Sequence, residues 1–344
     1  MIRGHEYRSC ADRRRAGECV DRAPGAGRGR PGCRDKATAH RGYSLDHVLR
    51  QAIAVLLIAI SVASPARGGV LAYAAGDVAD CRKTPAKSAA AQTAKMIPAD
   101  AMVFVVGDTT YPLADRATLE SCYTPTWGQF LSRTYAVPGN HDYVEGSPKD
   151  FLDYFGARTP DRTWFRAQVG DWWVIGLDSN VTGAMLDEQQ AWLEEQLKAI
   201  EGDGRCILAM WHHPVFSTGY HRKDGARMRP AWAALERAGA DLVLNGHEHF
   251  YESFEPKDAS GVNVPTGLRE IIAGTGGGHL HDFSFVRGAK AYARVHGLLE
   301  LHLEKDHYQY AFRTLKGRVR DSGGAQCRRA PEVSLLGESV PLDR

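Results

Sequence analysis

The segment VFVVGDTTY, residues 103–111, joins a short apolar run to a cluster of polar side chains. Apolar residues of this kind, bounded by glycine, are typical of a buried strand. Asp108 and Tyr111 follow the point where that strand would end. Because ligands in open α/β sheets bind beyond the carboxyl ends of the strands, the segment predicts a strand that leads into a binding site.

Four other segments have the same layout. They are 70–75 before Gly76-Asp77, 135–137 before Gly139-Asn140-His141-Asp142, 207–211 before His212-His213-Pro214, and 242–244 before Asn245-Gly246-His247-Glu248-His249. Any one of these segments alone is weak evidence for a binding site, because Gly-Asp after a strand is also a common turn. Their joint occurrence predicts several loops that converge on one site.

Between these segments the pattern alternates strand with helix. Residues 186–200 have the apolar spacing of a helix with one buried face, and residues 230–238 begin with proline and are followed by Gly239. Further strands are predicted at 172–177, 270–273, 298–303 and 308–312, the last two as a hairpin.

Composition places the chain among globular proteins, with 344 residues, 43% of them apolar and 9% aromatic. Residues 1–44 differ, since ten Arg and one Lys face five acids there, and they are predicted to form a flexible extension. The chain's formal net charge is +2 and that segment's is +6, which leaves −4 for the rest. We therefore expect no nucleic-acid partner. Residues 329–344 are predicted to form a flexible tail.

An apolar run at 52–63 suggests export. Spanning a bilayer takes about 20 such residues, so this run better suits a signal peptide at 45–66, cleaved near Ala63 or Ala66. The protein would then be periplasmic, in the cell envelope or extracellular, without a stable membrane anchor. A buried helix or an uncleaved anchor is the alternative. A start codon close to the beginning of that segment would explain why the signal lies so far from Met1.

Four cysteines lie beyond the predicted cleavage site: Cys81, Cys122, Cys206 and Cys327. An even number suits one or two disulfides in an oxidising compartment, although the sequence leaves the pairing open. Four unpaired core residues are the alternative.

Together, the polar clusters resemble the site of a phosphate-ester hydrolase with two metals. Phosphoryl oxygens repel nucleophiles, and two cations roughly 3.5–4 Å apart neutralise that charge and activate a water. Such a site needs a carboxylate that bridges both ions, and Asp108 is the candidate. Oxygen and imidazole ligands suit these cations. The clusters supply them as Asp77, Tyr111, Asn140, His212, His247 and His249.

The ordered motifs resemble the calcineurin-like metallophosphoesterase superfamily, and within it the purple acid phosphatases and their bacterial relatives, from about residue 70 to 327. Many members have a metal-binding His where this chain has Ala79. Purple acid phosphatases use instead the Tyr of a Gly-Asp-x-x-Tyr motif, here Gly107 to Tyr111. The resemblance implies an α/β fold, a layered αββα sandwich of two mixed β-sheets flanked by helices, in one catalytic domain at 67–328.

The resemblance also implies the roles of the ligands. The first metal would be held by Asp77, Asp108, Tyr111 and His249, and the second by Asp108, Asn140, His212 and His247. A phenolate favours iron(III) at the first site, and zinc, iron or manganese(II) is expected at the second.

Two further histidines are expected to face the substrate. His141 of the Gly-Asn-His motif would stabilise the transition state or protonate the leaving group, with Asp142 orienting its ring. His221 matches a second phosphate-facing histidine of related phosphatases. His213 was not assigned as a ligand, and His279 and His281 are interpreted as part of a mobile loop.

The sequence thus predicts an exported dimetal phosphoesterase that hydrolyses small phosphomonoesters by in-line attack of a metal-bridging hydroxide. Phosphodiester or nucleotide hydrolysis at the same centre is an alternative, because substrate choice depends on loops such as 217–229 and 275–286. A catalytically silent exported binding protein with this fold is another.

Overall fold

The computed structural model describes residues 69–156, 162–282 and 288–328. The predicted extension at 1–44, signal peptide at 45–66 and tail at 329–344 lie outside these residues. Within the described ranges, no helix has both the length and the apolar character needed to cross a bilayer.

The described residues form fifteen strands and five α-helices. The strands are β1 Val70–Ala75, β2 Ala79–Asp80, β3 Met102–Val106, β4 Thr110–Tyr111, β5 Thr134–Val137, β6 Phe165–Val169, β7 Trp172–Gly176, β8 Cys206–Met210, β9 Leu242–Asn245, β10 Tyr251–Ser253, β11 Arg269–Ala273, β12 Ala291–Ala293, β13 Gly297–Leu303, β14 His307–Thr314 and β15 Val319–Gln326. The helices are α1 Ala89–Ala94, α2 Arg116–Thr118, α3 Lys149–Phe155, α4 Ala184–Ala199 and α5 Arg229–Arg237. Shorter 3₁₀ turns include Asn140–Asp142 and Asp224–Met228.

The strands form two mixed sheets. The first has the order β15-β14-β13-β1-β3-β5, and the second β12-β10-β11-β9-β8-β7-β6. In the first sheet β1, β3 and β5 run parallel, while β13 pairs antiparallel with β1 and with β14. In the second sheet β7, β8, β9 and β11 run parallel. A short pair, β2 and β4, extends beyond the carboxyl ends of β1 and β3.

The two sheets pack face to face. Alternate residues of β3 show why: Phe104 and Val106 belong to the core between the sheets, whereas Val103 and Val105 pack under the helices on the outer side. A strand buried on both faces is apolar throughout, which explains the unbroken run of residues 103–106. Helix α3 covers the first sheet, and α4 and α5 cover the second. The predicted αββα sandwich is confirmed.

The predicted elements agree with the structure to within about two residues. The helix predicted at 186–200 is α4, and the hairpin predicted at 298–312 is β13 and β14. Strands β2, β4, β6, β10, β12 and β15 were not predicted. β15 has the sequence VRDSGGAQ and is largely exposed at a sheet edge, so it lacks the apolar pattern on which the prediction depends.

All four cysteines of the described region form disulfides. Cys81 pairs with Cys122, and Cys206 pairs with Cys327. The second bond joins the first residue of β8, in one sheet, to the segment directly after β15, in the other. The expectation of one or two disulfides is confirmed, and the structure supplies the pairing that the sequence left open.

Candidate metal centre

The site lies where strands of both sheets end. Because β1, β3 and β5 are parallel neighbours, the residues that follow them, Asp77, Asp108 and Asn140, emerge at one edge. His212 and His247 follow β8 and β9, parallel neighbours in the second sheet. The two groups meet where the backbone N–H of His247 donates to Asp77 Oδ2 at 2.9 Å.

The backbone at the site is strained. Among the described residues, four that are not glycine have positive φ, and three of them are predicted ligands: Asp77 at 57°, Asp108 at 52° and His247 at 70°. Such conformations cost on the order of 1–3 kcal/mol each and persist only where the surroundings enforce them. Gly139 shows how closely the surroundings pack against Asp108, because a Cβ at this position would lie 2.1 Å from Asp108 Oδ1.

One half of the site centres on the phenol oxygen of Tyr111. It lies 2.5 Å from Asp77 Oδ1, 2.7 Å from Asp108 Oδ2 and 2.9 Å from His249 Nε2. All four side chains are buried. His249 donates its Nδ1 proton to the carbonyl of His279, so its Nε2 is the nitrogen that faces the carboxylates. Burial and the charges of Asp108 and Asp77 raise the pKa of Tyr111 well above its ordinary value.

The other half contains His212 and His247. His212 donates its Nδ1 proton to the carbonyl of Val106 at 2.8 Å, which leaves Nε2 as the free nitrogen. That Nε2 is buried without a hydrogen-bond partner and lies 3.4 Å from Asp108 Oδ2. The His212 and His247 ring centroids are 5.0 Å apart. Of the seven predicted ligands, Asn140 alone is exposed, and it lies in the 3₁₀ turn Asn140–Asp142, in which the backbone N–H of His141 contacts Asp108.

The donor set fits two cations. Asp77 and Asp108 are buried, and within the described ranges neither forms an ion pair with Lys or Arg. Burial acts to raise the pKa of Asp108, but the charge of His212 and its contact outweigh that effect, so the pKa falls well below the ordinary value. Two carboxylates, a phenol, an amide and three imidazoles are ligands suited to hard and borderline cations. The unpartnered Nε2 of His212 is a nitrogen that such an ion would satisfy.

His141 lies beside these side chains, but the residue that orients its ring is not the predicted one. Its backbone N–H donates to Asp108 Oδ1 at 2.8 Å, and its ring lies 4.6 Å from that of Tyr111. The prediction that Asp142 orients the ring is wrong: the acceptor of the His141 Nδ1 proton is the carbonyl of Pro112 at 2.6 Å.

Asp142 instead holds the loop that carries Asp108, the predicted bridging carboxylate. Its Oδ2 accepts from the backbone N–H groups of Asp108 at 2.8 Å and Gly139 at 2.7 Å. Its Oδ1 accepts from Thr109 N at 3.1 Å. The residue is fully buried, so these bonds satisfy a carboxylate that water cannot reach.

The structure also places near the site side chains that the sequence did not connect to it. Asp224 contacts both His221 and His247. The ring of His281 stacks on that of His249, with centroids 3.8 Å apart, and lies 5.5 Å from that of His221. These contacts join loops far apart in the chain, so sequence spacing gave no signal for them.

His213, which was not assigned as a ligand, is also close to the site. Its ring lies 4.2 Å from that of His247, and its Nδ1 lies 2.8 Å from Ser179 Oγ. The adjacent pair His212-His213 was the signal in the sequence. The structure shows that both rings point toward the same group of histidines.

Comparison with known proteins gives consistent matches. The family model for calcineurin-like phosphoesterases matches residues 76–251. The probable glycerophosphodiester phosphodiesterase GpdQ of Arcobacter nitrofigilis is 29% identical over 94 residues, 26% of this chain and 34% of that protein. Purple acid phosphatase 15 of Arabidopsis thaliana is 23% identical over 212 residues, 51% of this chain and 40% of that protein.

Among solved structures, purple acid phosphatase PPD1 from yellow lupin seeds matches with a TM-score of 0.56. The match covers 75% of this chain and 54% of that one at 14% identity, so it bears on the fold alone. The chain spans about a third to two fifths of the length of the two curated relatives.

Proposed function

We propose a dimetal hydrolase of phosphomonoesters, because this chain belongs to the calcineurin-like phosphoesterase family, whose model matches residues 76–251. The observation that carries the proposal is the convergence at Tyr111. Its phenol oxygen contacts two buried carboxylates and an imidazole nitrogen at 2.5–2.9 Å. On the other side of Asp108, His212 offers a buried and unpartnered nitrogen.

Asp77, Asp108, Tyr111 and His249 would hold the first cation, and Asp108, Asn140, His212 and His247 the second. The Tyr111 oxygen, once deprotonated, favours iron(III), and the nitrogen-rich second set suits zinc, iron or manganese(II). When bound, two cations of this kind neutralise phosphoryl oxygens and lower the pKa of a coordinated water.

The surrounding side chains bind and orient the substrate. His141 donates its Nδ1 proton to the Pro112 carbonyl, so its Nε2 is left to face a bound phosphate ester and, when protonated, to give a proton to the departing alcohol. His221 lies near His247, with ring centroids 4.9 Å apart, and would contact the phosphoryl oxygens.

The test is hydrolysis of 4-nitrophenyl phosphate and bis(4-nitrophenyl) phosphate, with elemental analysis of the same preparation. We expect about two cations per chain and a higher kcat/KM for the monoester. Asp108→Asn should lose both bound cations and hydrolysis. Asp153→Asn is the matched control, because it removes an exposed carboxylate paired with Lys149. A preparation that folds but binds no metal would favour the silent binding protein.

Diester hydrolysis is the second candidate, favoured by the likeness to the probable glycerophosphodiester phosphodiesterase. The same assay separates the two. A higher kcat/KM for bis(4-nitrophenyl) phosphate, lost in Asp108→Asn, would replace the monoesterase proposal with this one.

Export is part of the proposal and is supported by the apolar run at 52–63 and by the two disulfides, since such bonds persist in oxidising compartments. Fractionation of cells that produce the full chain or a chain lacking residues 45–66 tests it. We expect only the former outside the cytoplasm, and equal cytoplasmic retention of both would contradict export.

A further inference from the structure

Asp224 lies between two histidines that the proposed function uses for different purposes. Its Oδ2 is 3.0 Å from Nε2 of His247, a predicted metal ligand, and 3.2 Å from Nδ1 of His221, a predicted substrate contact. It is the first residue of the 3₁₀ turn Asp224–Met228, within a loop that has no metal-binding motif.

The contact with Asp224 determines which nitrogen of His247 is free. An ionised carboxylate only accepts hydrogen bonds, so the proton of His247 resides on Nε2 and Nδ1 keeps its lone pair. His212 and His249 are arranged in the opposite sense, because both donate from Nδ1 to backbone carbonyls and direct Nε2 toward Asp108 and Asp77. His247 therefore differs from the other two in that a carboxylate outside the predicted ligand set takes the place of the backbone carbonyl.

The same oxygen, Asp224 Oδ2, also orients the ring of His221. Its Nδ1 proton points to Asp224, so Nε2 is the nitrogen left to face a substrate. The backbone of His221 is fixed as well, since its N–H donates to Glu248 Oε1 at 2.8 Å. Glu248 is buried and lies between His247 and His249 in sequence. It therefore connects the loop of His221 to the two predicted metal ligands.

The position of Asp224 is built into the fold. The next residue, Gly225, is buried against the turn that follows His212, and a Cβ there would lie 1.9 Å from the carbonyl oxygen of Pro214. Only glycine permits that approach. The side chain of Asp224 is 46% exposed, whereas that of His247 is 10% exposed, so the carboxylate reaches the buried ring from the mouth of the site.

We propose that Asp224 is a positioning residue that presents Nδ1 of His247 to the second cation and Nε2 of His221 to the substrate. The inference rests on the proposed function, because it presupposes a cation at His247. Partners of metal-binding histidines of this kind typically change metal affinity or activity 10–100-fold when they are removed.

The first experiment uses the chelated protein and needs no activity. Imidazole ¹⁵N spectra of the unmodified chain should show His247 protonated on Nε2, and Asp224→Ala should shift the proton away from that nitrogen. Asp187→Asn is the matched control, because Asp187 is an exposed carboxylate in the first turn of α4. An unchanged His247 signal in Asp224→Ala would overturn the proposal.

The second experiment measures metal retention against a competing chelator. In Asp224→Ala one of the two cations should be lost 10–100-fold more readily, while the other and any Tyr111 absorption band remain. Asp224→Asn keeps one acceptor oxygen, so its cation should be lost less readily than that of Asp224→Ala. If the alanine variant does not fold, Asp224→Asn is used for the test. A third cation in the unmodified protein that Asp224→Ala removes would make Asp224 a ligand and overturn the proposal.

The third experiment asks whether Asp224 acts through His221. The fall in kcat caused by Asp224→Ala should be smaller in a His221→Ala background, because the ring it orients is then absent. Equal falls in both backgrounds would contradict that half of the inference. If the unmodified chain binds no cation, the proposed function fails. If it binds two and hydrolyses esters while Asp224→Ala behaves like Asp187→Asn, only the inference fails.

Discussion

Tyr111 Oη lies 2.7 Å from Asp108 Oδ2, three residues earlier in the chain, and the same oxygen lies 2.5 Å from Asp77. One phenol proton thus faces two buried carboxylates. A cation in place of that proton would satisfy all three oxygens at once, which is why this contact, more than any single ligand, supports a metal centre.

Replacing Tyr111 by Phe should abolish visible absorption. An iron(III)–phenolate bond gives a broad charge-transfer band, and the variant lacks the phenol while three other ligands of the first site remain. Absorption spectroscopy with iron analysis measures this. Tyr143→Phe is the control, because it removes a phenol that binds Asp178 at 2.6 Å outside the donor set. A colourless unmodified protein with full iron would contradict the assignment to the purple acid phosphatase branch.

Replacing His141 by Ala should reduce kcat most for substrates with poor leaving groups. If His141 protonates the departing alcohol, the loss should be about 10²–10⁴-fold for an alkyl phosphate and smaller for 4-nitrophenyl phosphate, whose leaving group needs less assistance. Steady-state kinetics on both substrates measures the difference. His302→Ala serves as control because its side chain is 49% exposed and lies on β13. Equal losses for both substrates would rule out proton donation.

The buried carboxyl of Glu270 should make stability depend on pH. Burial raises its pKa from an ordinary value of 4.5 to about 8, although it accepts from the backbone of Val215 at 2.8 Å and Phe216 at 2.9 Å. Between those pH values the folded protein binds the proton that the unfolded chain releases. The free energy of unfolding should therefore fall as pH rises through this window, by about 4 kcal/mol.

Glu270→Gln isolates that contribution. The amide does not titrate, so the decline with pH should be shallower than in the unmodified protein, in which Glu252, with a pKa raised by burial to about 7, also contributes. Urea unfolding of chelated protein from pH 4.5 to 8 measures both slopes. Parallel slopes would show that Glu270 is ionised throughout the range.

The disulfide that closes the longer loop should contribute more to stability. Cys206 and Cys327 are separated by 121 residues, and Cys81 and Cys122 by 41. Loop-closure entropy gives about 5 and about 4 kcal/mol for the two bonds. Paired serine variants of each, compared by chemical unfolding, should lose stability in that order. The reverse order would mean that native contacts, and not the loop entropy of the unfolded chain, dominate.

The sequence predicted which loops lie together, because each of them follows an apolar run. The runs before Asp77 and Asp108 became adjacent parallel strands of the first sheet, and those before His212 and His247 became adjacent parallel strands of the second, and parallel neighbours present their carboxyl ends at one edge. What the sequence lacked was any signal for contacts between loops. Asp224 has no neighbour in the chain that marks it, and Asp142 follows His141 yet supports the loop of Asp108 instead.

The same limit explains the strands that were missed. β10 and β12 have three residues each, too few for a period-2 pattern, and they form because neighbours in the second sheet supply hydrogen-bond partners. Glu252 of β10 and Glu270 of β11 are buried acids within strands, which a hydrophobicity pattern counts against burial. Their role, to accept the backbone N–H groups of Val215, Phe216 and Thr218, is visible only in three dimensions.

Strand β8 begins at Cys206 and is followed by His212, so the covalent bond to Cys327 and a predicted cation ligand lie at opposite ends of one strand. Both the disulfide and the predicted ligand contact the first sheet, which contains β1 and β15. Bound ions would thus act as a second crosslink between the two halves of the sandwich, at the edge the disulfide does not reach. A chain both chelated and reduced would have lost both crosslinks, leaving apolar packing and the hydrogen bonds between the sheets, such as those of Tyr251 and Ser253 to Asp321, to keep the layers together.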